Sequence, residues 1–237
     1  MLGRMRRRVE ALVRSTFLEP VPRDHRQPDA QFRRRRGVTV VALLLGAGLL
    51  GRSLALPPGD PAFYPFTLLV AATWLVGGLL SGPLHLGYLP WRGRLRRPAL
   101  TGIAIGVLSA GAFLLGGLAV RQIGPLDVLV RDVLGHARGG SAVPITVVTL
   151  VNGATEEVFF RGAVYAAVGA RRPVFVSTAI YAVVTVATGN PMLVFAALTL
   201  GVVLAALRRA SGGILAPVLT HVTWSAMMLF LLEPLFR

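Results

Sequence analysis

The chain contains 237 residues, of which 54% are hydrophobic and 15% are charged. Because soluble domains carry about 25% charged residues, this composition excludes an ordinary soluble domain and indicates a membrane protein. All 25 basic residues are arginines, against 10 acidic residues, and they stand in short blocks between apolar runs. Nucleic-acid binders instead gather basic residues on a soluble face, so we expect no nucleic-acid partner. The absence of cysteine excludes disulfides and thiolate metal sites.

The first 36 residues form an arginine-rich leader, with 11 arginines and four acidic residues. Its basic region is too long for a secretory signal, so we expect the leader to stay in the cytoplasm. Apolar residues recur near helical spacing in its first half, opposite several arginines: Leu2, Met5, Val9, Leu12, Val13 and Phe17. This pattern fits a helix lying on an anionic membrane surface, and it fits equally a solvated tail whose periodicity is a coincidence.

Residues 37–237 are predicted to form a transmembrane domain. A helix that spans the hydrocarbon core needs about 20 apolar residues, and such stretches recur along this part of the chain. We place helices at residues 38–56, 65–84, 99–120, 143–168, 173–188, 191–207 and 214–234. The fifth and sixth are short and are separated only by the turn at Gly189, so they could instead be tilted or partly buried. The predicted fold is an all-α polytopic bundle of about seven transmembrane helices, with six to eight as the range.

The loops between these helices alternate in charge. Every second loop, counted from the leader, is rich in arginine, at residues 92–97, 171–172 and 208–209, and the others are not. Arginine-rich loops stay in the cytoplasm. Seven helices therefore give a multi-pass protein of the plasma membrane with a cytoplasmic N-terminus and an external C-terminus. In one external loop, residues 127–136 are amphipathic and are expected to lie in the outer interface.

Four ionisable residues fall deep inside the predicted helices. They are Glu156, Glu157 and Arg161 on the fourth helix and His221 on the seventh. Each such residue costs at least about 2–3 kcal/mol at the centre of a bilayer, so its presence there indicates a functional site. His85, by contrast, stands at the end of the second helix, where an interfacial or capping role is expected.

The two adjacent glutamates are expected to have different surroundings. Glu157 and Arg161 are spaced four residues apart with the acid first, which favours an ion pair within the helix. Glu156 is rotated by about 100° around the helix and cannot use that arginine as easily. One paired and one unpaired carboxylate suit general-base catalysis on a water molecule. The alternative is a buried ion-pair network that only fixes helix packing.

His221 stands at a depth similar to that of the glutamates. It is about eight residues from the cytoplasmic start of its helix, and Glu156 is about 12 residues from the cytoplasmic end of its own, which gives depths of roughly 12–18 Å. The histidine and the glutamate pair can therefore meet in one cavity. The alternative for His221 is an ordinary hydrogen-bonded residue of the helix core.

Several motifs in the C-terminal half resemble those of a known family. The run Glu156-Glu157-x-x-x-Arg161-Gly162 in a membrane helix is followed by Gly201 and by the segment SGGILAPVLTH at residues 211–221. Together these motifs resemble the CPBP family of intramembrane proteases, which includes the CAAX prenyl endopeptidases and the bacteriocin-processing Abi proteins. The resemblance covers residues 143–232, which are the expected protease core.

The resemblance implies roles for individual residues. In the family, the first glutamate, here Glu156, is the base that activates the attacking water. The second glutamate and the arginine, here Glu157 and Arg161, organise the site. Histidines of later helices orient the reacting groups or stabilise the oxyanion, and His221 matches one of them.

Two positions depart from the family pattern. The second histidine, expected four residues after the aromatic Tyr181, is Thr185, and the asparagine expected four residues after His221 is Ser225. Both hydroxyl groups can still donate a hydrogen bond and support the oxyanion. Three nearby polar side chains are further candidate donors: Asn152, Thr188 and Asn190. Threonine is a poor zinc ligand, so a tightly held zinc is not expected.

The resemblance implies a principal function and leaves alternatives. The principal one is an intramembrane endopeptidase of a bacterial inner membrane, surrounded by lipids, which cleaves a peptide or membrane-protein tail reached from the cytoplasmic side. It works by a glutamate-activated water or as a metalloendopeptidase, and a divalent metal such as zinc would bind Glu156, Glu157 and His221. The alternatives are a degenerate member that acts as an immunity or peptide-binding scaffold protein and, with no self-similar halves to favour it, a small proton-coupled transporter. The oligomeric state is left open.

Overall fold

The computed structural model describes residues 3, 5–7, 10, 27–91 and 94–236. The surface helix expected in the leader lies largely outside the described residues. From residue 27 onward the helices are α1 (Asp29–Leu54), α2 (Phe63–Ser81), α3 (Ala99–Val120), α4 (Gly124–Arg138), α5 (Ala142–Val168), α6 (Pro173–Val186), α7 (Pro191–Ser211) and α8 (Leu215–Leu235). The prediction of an all-α membrane bundle is confirmed. The predicted domain boundaries stay predictions; α1 begins inside the predicted leader.

A short antiparallel hairpin interrupts the helical pattern between α2 and α3. It consists of β1 (Leu89–Trp91) and β2 (Arg94–Arg96), with Leu89 opposite Arg96. The sequence analysis does not anticipate it, because the arginines of β2 favour a polar loop. The hairpin lies on the arginine-rich side of the bundle and carries no predicted site residue.

Six of the helices are long and apolar enough to cross a membrane, and α6 is a shorter apolar helix of 14 residues. At 1.5 Å per residue α6 is about 21 Å long, less than the roughly 30 Å of the hydrocarbon core. Of the two helices predicted to be short, only α6 is short, because α7 continues to Ser211. The side chain of Asn190 accepts a hydrogen bond from Met192 N at 2.9 Å, which caps the start of α7.

The helix ends and loops form two faces of the bundle. The arginine-rich face consists of residues 27–36, 82–98, 169–172 and 208–214, and the opposite face of residues 55–62, 121–141, 187–190 and 233–236. On the arginine-rich face, Arg35 Nη2 donates to Pro83 O at 3.2 Å. Arg36 Nε donates to Ala167 O at 3.0 Å on the same face. These contacts bring together the start of α1 and the ends of α2 and α5.

Contacts on the opposite face complete the alternation. Asn190 Nδ2 donates to Leu129 O at 2.8 Å, and Arg138 Nε donates to Glu233 Oε1 at 3.0 Å. The turn after α6 and the end of α8 therefore lie together with α4 on this face. The seven apolar helices of the described residues, including the short α6, run from one face to the other in alternating directions. The amphipathic α4 lies along the opposite face, where an interfacial segment is predicted.

Helix α5 is not α-helical throughout. Its first part ends at Glu157, a π-helical segment follows at Val158–Val164, and the last turn is α-helical again. π-Helical segments are rare and occur frequently at functional sites. The segment carries Phe159, whose ring stacks on Trp74 of α2 at 4.7 Å between centroids. This contact fixes α5 against α2 next to the two glutamates.

Glycines bring α3 into close contact with α8. A Cβ added to Gly102 would stand 2.8 Å from Ala216 O, and one added to Gly106 would stand 2.8 Å from Thr220 O. Small residues at such contacts let two membrane helices approach closely. Helix α3 therefore sets the position of α8, which carries His221.

Residues 84–88, which follow α2 and are called the closing segment below, run along the start of α8. Ile214 N donates to His85 O at 2.8 Å. The two backbones approach so closely that a Cβ on either Gly87 or Gly213 would overlap atoms of the other chain segment. The closing segment thus covers the start of α8, which lies on the arginine-rich face.

Candidate active site

Three of the four ionisable residues predicted to lie deep in the bundle form one hydrogen-bonded network. Arg161 Nη1 donates to Glu157 Oε1 at 2.9 Å, and His221 Nδ1 lies 2.8 Å from the same oxygen. The exposed fraction is 0% for Glu157, 1% for Arg161 and 5% for His221. The ion pair has the four-residue spacing from which it is predicted. The structure therefore brings the predicted pair on α5 together with the histidine on α8.

Arg161 contacts three helices. Its Nη2 donates to Gly201 O of α7 at 3.0 Å, and its guanidinium carbon lies 4.9 Å from the centre of the Tyr181 ring of α6. Its backbone carbonyl accepts a hydrogen bond from Arg208 Nε at 2.8 Å. A guanidinium can serve several acceptors because its N–H groups form a rigid fork. Arg161 therefore links α5, α6 and α7 and holds the Glu157 carboxylate in one orientation.

Glu156 makes a separate contact. Tyr181 Oη donates to Glu156 Oε2 at 2.6 Å, a short hydrogen bond of the kind that carboxylates accept from hydroxyl groups. Tyr181 is not among the predicted site residues. The signal for it is present in the sequence, because Tyr181 is the aromatic residue four positions before Thr185. The two glutamates thus differ in their partners, as their rotation around the helix predicts.

Glu156 and His221 both line a cavity of about 190 Å³. Tyr181 and Trp224 also face it, and its remaining walls are mostly apolar. Since a water molecule occupies roughly 30 Å³, the cavity has room for a water together with part of a peptide. Nδ1 of His221 is engaged with Glu157, so Nε2 is the ring nitrogen left for a molecule in the cavity.

The cavity opens toward the opposite face. Leu54, Thr188 and Leu193, which line it near that face, are half-exposed. Leu200 and His221 line it closer to the middle of the bundle and are buried. The lining of this cavity thus lies away from the arginine-rich face, and the expectation that a substrate reaches the site from the cytoplasmic side stays a prediction.

The two hydroxyl residues at the departing positions lie near the site. Thr185 lines the cavity, but its hydroxyl donates to Tyr181 O of its own helix at 2.8 Å. Ser225 is buried one turn after His221, and a Cβ added to Gly153 would stand 3.2 Å from Ser225 Oγ. Gly153 therefore leaves room for this part of α8 beside α5.

The amide donors considered from the sequence serve helix packing. Asn152 Nδ2 donates to Val148 O at 2.8 Å and to Thr67 O at 3.3 Å, which ties α5 to α2. Asn190 donates to Leu129 O and caps α7. Both side chains are engaged with the backbone outside the cavity, whereas Thr188 lines its mouth.

The residues predicted to hold a metal do not converge on one point. Within the described ranges, no three histidine or acidic side chains are arranged as a metal site. Glu157 Oε1 is already shared by Arg161 and by Nδ1 of His221. A zinc ion needs at least three protein ligands at about 2.0–2.2 Å when these are nitrogen and oxygen atoms. Glu156, Glu157 and His221 in this arrangement do not fit that requirement, and no step is derived through a metal.

The C-terminal half resembles one family of known proteins. Residues 138–227 match the family model described as type II CAAX prenyl endopeptidase, Rce1-like. This stretch runs from the end of α4 into α8, and it includes Glu156, Glu157, Arg161 and His221. No curated protein and no solved structure matches the chain. Residues 138–227 are therefore similar to the type II CAAX prenyl endopeptidases, and this match supports an intramembrane protease of the CPBP type.

Proposed function

We propose that the protein is an intramembrane endopeptidase that hydrolyses a peptide bond with a water molecule activated by Glu156. One observation carries the proposal: Glu156 and His221 face the same cavity, and each is held by a hydrogen bond to a second residue. General-base catalysis needs a base within hydrogen-bond reach of its water, and the cavity has room for one. The similarity of residues 138–227 to the type II CAAX prenyl endopeptidases supports a protease as the class of enzyme.

The reaction steps follow from these positions. Glu156 accepts a proton from the water while the water oxygen attacks the carbonyl carbon of the peptide bond. The carbonyl oxygen becomes an oxyanion, which Nε2 of His221 stabilises when both ring nitrogens are protonated. The proton held by Glu156 then passes to the amide nitrogen and the carbon–nitrogen bond breaks. The products are a carboxylic acid and an amine, so one water is consumed for each bond cleaved.

The neighbouring residues prepare Glu156 and His221 for these roles. Glu157 Oε1 accepts the Nδ1 proton of His221, which orients the ring and stabilises its positive charge. Arg161 balances the charge of the buried Glu157 carboxylate. Tyr181 orients the Glu156 carboxylate through its 2.6 Å hydrogen bond. The site therefore consists of a held base on α5 and a held oxyanion donor on α8.

A location and a substrate class are part of the proposal. The long apolar helices support a multi-pass membrane protein. We place it in a bacterial plasma membrane, and the positive-inside rule supports an orientation with the arginine-rich face and the N-terminus in the cytoplasm. Peptides or segments of membrane proteins are the proposed substrates, since the cavity lies among the membrane helices.

Cleavage of a fluorogenic peptide by the purified protein in detergent tests the proposal. We expect Glu156→Gln and His221→Ala each to lower kcat/KM by about 100-fold or more, because a general base and an oxyanion donor each contribute about that much. Glu233→Gln is the matched control, since Glu233 pairs with Arg138 on the opposite face and should leave the rate unchanged. Equal rates for the wild type and Glu156→Gln would contradict the proposal.

A degenerate family member is the competing function, and Thr185 favours it. Where the family has its second histidine, the Thr185 hydroxyl is engaged with the backbone of its own helix. On this alternative, a peptide binds in the cavity of an immunity or scaffold protein and is not cleaved. Purified wild-type protein would then bind the peptide, measured by fluorescence anisotropy, and show no turnover.

A further inference from the structure

We propose that the substrate reaches Glu156 from the face opposite the arginine-rich loops, so that the protein cleaves an apolar polypeptide segment outside the cytoplasm. The proposal rests on the proposed function and narrows the molecules on which that function acts. A site entered from the arginine-rich face would instead serve the cytoplasmic tails of proteins.

The walls of the cavity lie in the parts of the helices nearer the opposite face. Leu54 is the last residue of α1, Thr188 stands in the turn after α6, and Leu193 belongs to the first turn of α7. All three are half-exposed, whereas Leu200, two turns further along α7, is buried. The exposed fraction of the lining residues therefore falls from the opposite face toward the middle of the bundle, as expected for a cavity that opens on that face.

The closing segment covers the route from the arginine-rich face. Leu84 fills the space beside Gly162 on α5, where an added Cβ would stand 2.6 Å from Leu84 Cδ2. At the other end of the segment, Tyr88 N donates to Ser211 O at 2.8 Å. The segment is thus packed against α5 and bonded to the end of α7, and it covers the gap between them.

Two buried arginines form a second layer beneath the closing segment. Arg208 donates to Arg161 O at 2.8 Å, and its guanidinium carbon lies 5.1 Å from the centre of the Tyr165 ring. The exposed fraction is 4% for Arg208 and 1% for Arg161. These side chains fill the space between the Glu157 carboxylate and the arginine-rich face. A peptide entering from that face would have to break their hydrogen bonds.

Charge distinguishes the two faces. Within the described residues, the arginine-rich face holds 11 arginines and one acidic residue, whereas the opposite face holds three arginines and four acidic residues. The positive-inside rule assigns the first face to the cytoplasm and the second to the exterior. The walls of the cavity include Leu50, Val184 and Ala197, so a segment that reaches Glu156 must be largely apolar. The substrate is therefore an apolar stretch of polypeptide on the external side.

Cysteine labelling tests the side of entry. The chain contains no cysteine, so single introduced cysteines are labelled without background. Thr185→Cys places a thiol in the cavity, Ser141→Cys on the exposed opposite face and Ala210→Cys on the exposed arginine-rich face. The full chain is treated with a charged methanethiosulfonate reagent in spheroplasts and in inside-out vesicles. Thr188→Cys, at the cavity mouth, serves as a second reporter where Thr185→Cys fails to accumulate.

We expect the cavity and opposite-face thiols to react at least about tenfold faster in spheroplasts than in inside-out vesicles, because a charged reagent does not cross the hydrocarbon core. Ala210→Cys should show the reverse. The inference is overturned if the cavity thiol reacts faster in inside-out vesicles, as Ala210→Cys does, or if it reacts in neither preparation. Reaction of Ser141→Cys only in inside-out vesicles overturns the assignment of the substrate to the exterior.

Peptide cleavage in detergent, where both faces are accessible, separates this inference from the proposed function. Labelling from the exterior without any cleavage contradicts the proposed function and leaves the side of entry supported. Glu156-dependent cleavage together with labelling of the cavity from the cytoplasmic side contradicts the inference and leaves the proposed function supported.

Discussion

Arg161 is the residue through which most contacts of the site pass. It donates to the Glu157 carboxylate and to Gly201 O, and it packs over the Tyr181 ring. A lysine has a single ammonium group and cannot reproduce a planar fork that serves two acceptors in different directions while stacking on a ring. The position therefore requires arginine for geometry as well as for charge.

Arg161→Met is expected to lower the free energy of unfolding by about 3–5 kcal/mol, because removing one partner of a buried ion pair leaves an uncompensated charge. Both side chains of the pair are almost completely buried. Thermal unfolding of the purified protein in detergent measures the effect. The double variant Glu157→Gln/Arg161→Met should regain part of the lost stability, since a neutral amide needs no counter-charge. Destabilisations that simply add would contradict this account.

Tyr181→Phe is expected to reduce kcat/KM for peptide cleavage by about tenfold to hundredfold, because a hydrogen bond to a charged group contributes about 1.5–3 kcal/mol. The ring stays, so its contact with Arg161 is kept. Tyr64→Phe is the matched control, as it removes a buried hydroxyl near Gly140 on the opposite face. A Tyr181→Phe enzyme with the wild-type rate would show that Glu156 needs no such partner.

At the scale of single residues, contacts between side chains of one helix could be predicted from the sequence. Contacts between side chains of different helices could be predicted only in part. The Glu157–Arg161 pair follows from a four-residue spacing, and the similar depth of His221 indicated that it could meet the glutamates. The hydrogen bond from Tyr181 to Glu156 depends on the rotation of α6 against α5, which the sequence does not report. For the same reason Asn152 looked like a candidate donor to the cavity, although it bonds to α2.

At the scale of elements, long apolar runs predicted the helices because an uninterrupted run can satisfy its backbone only as a helix in a membrane. The predicted and observed ranges of α3 are the same, residues 99–120. The π-helical segment Val158–Val164 was not predictable, since its residues would equally suit an α-helix. Its residue Phe159 packs against Trp74, which lies on another helix, so this contact cannot be predicted from the local sequence.

The contact between α3 and α8 leads to a paired prediction on glycines. Gly106→Ala is expected to destabilise the protein by about 1–3 kcal/mol, because the new methyl group overlaps Thr220 O and forces α8 away. The shift should also reduce peptide cleavage, since α8 carries His221. Gly111→Ala on the same helix is the matched control, as nothing lies within 4 Å of its added Cβ. Thermal unfolding and cleavage rates measure both variants, and equal behaviour of the two would contradict the role of the contact.

At the scale of the molecule, seven apolar helices run between the two faces of the described chain, although α6 has only 14 residues. Antiparallel packing of α6 on α7 and the hydrogen bond from Asn190 to Leu129 hold its end on the opposite face. Because the short helix α6 still runs from one face to the other, the arginine-rich loops before and after the α6–α7 pair lie on the same face. Topology here follows from tertiary contacts as much as from helix length.

Fusion proteins test this topology. Green fluorescent protein joined to the N-terminus is expected to fluoresce, and alkaline phosphatase joined to the C-terminus to be active, because the first folds in the cytoplasm and the second outside it. Seven crossings put the two ends on different sides, which the positive-inside rule assigns. The reversed fusions serve as controls and should be silent. If the same reporter were active at both the N-terminus and the C-terminus, both ends would lie on one side of the membrane, which requires an even number of crossings.

The side from which the site is entered is the feature of the whole molecule on which the sequence-based expectation and the proposal from the structure differ. Depth along a helix is symmetrical to a first approximation, so Glu156 and His221 at mid-membrane could have opened to either face. The proposal of entry from the opposite face rests on the closing segment, whose residues 84–88 have the sequence of an ordinary loop after α2. Only the packing of this segment against Gly213 and Gly162 shows that it covers the helix ends in addition to connecting α2 to the hairpin.

The closing segment has a consequence for the permeability of the membrane. A water-filled pit that holds a carboxylate and an imidazole would conduct protons down their electrochemical gradient if it were open at both ends. If the cavity is entered as proposed, the backbone contact between Gly87 and Gly213 and the buried arginines beneath it close its other end. On the proposed function, water would then reach the centre of the bilayer for hydrolysis while the transmembrane potential of the cell is preserved.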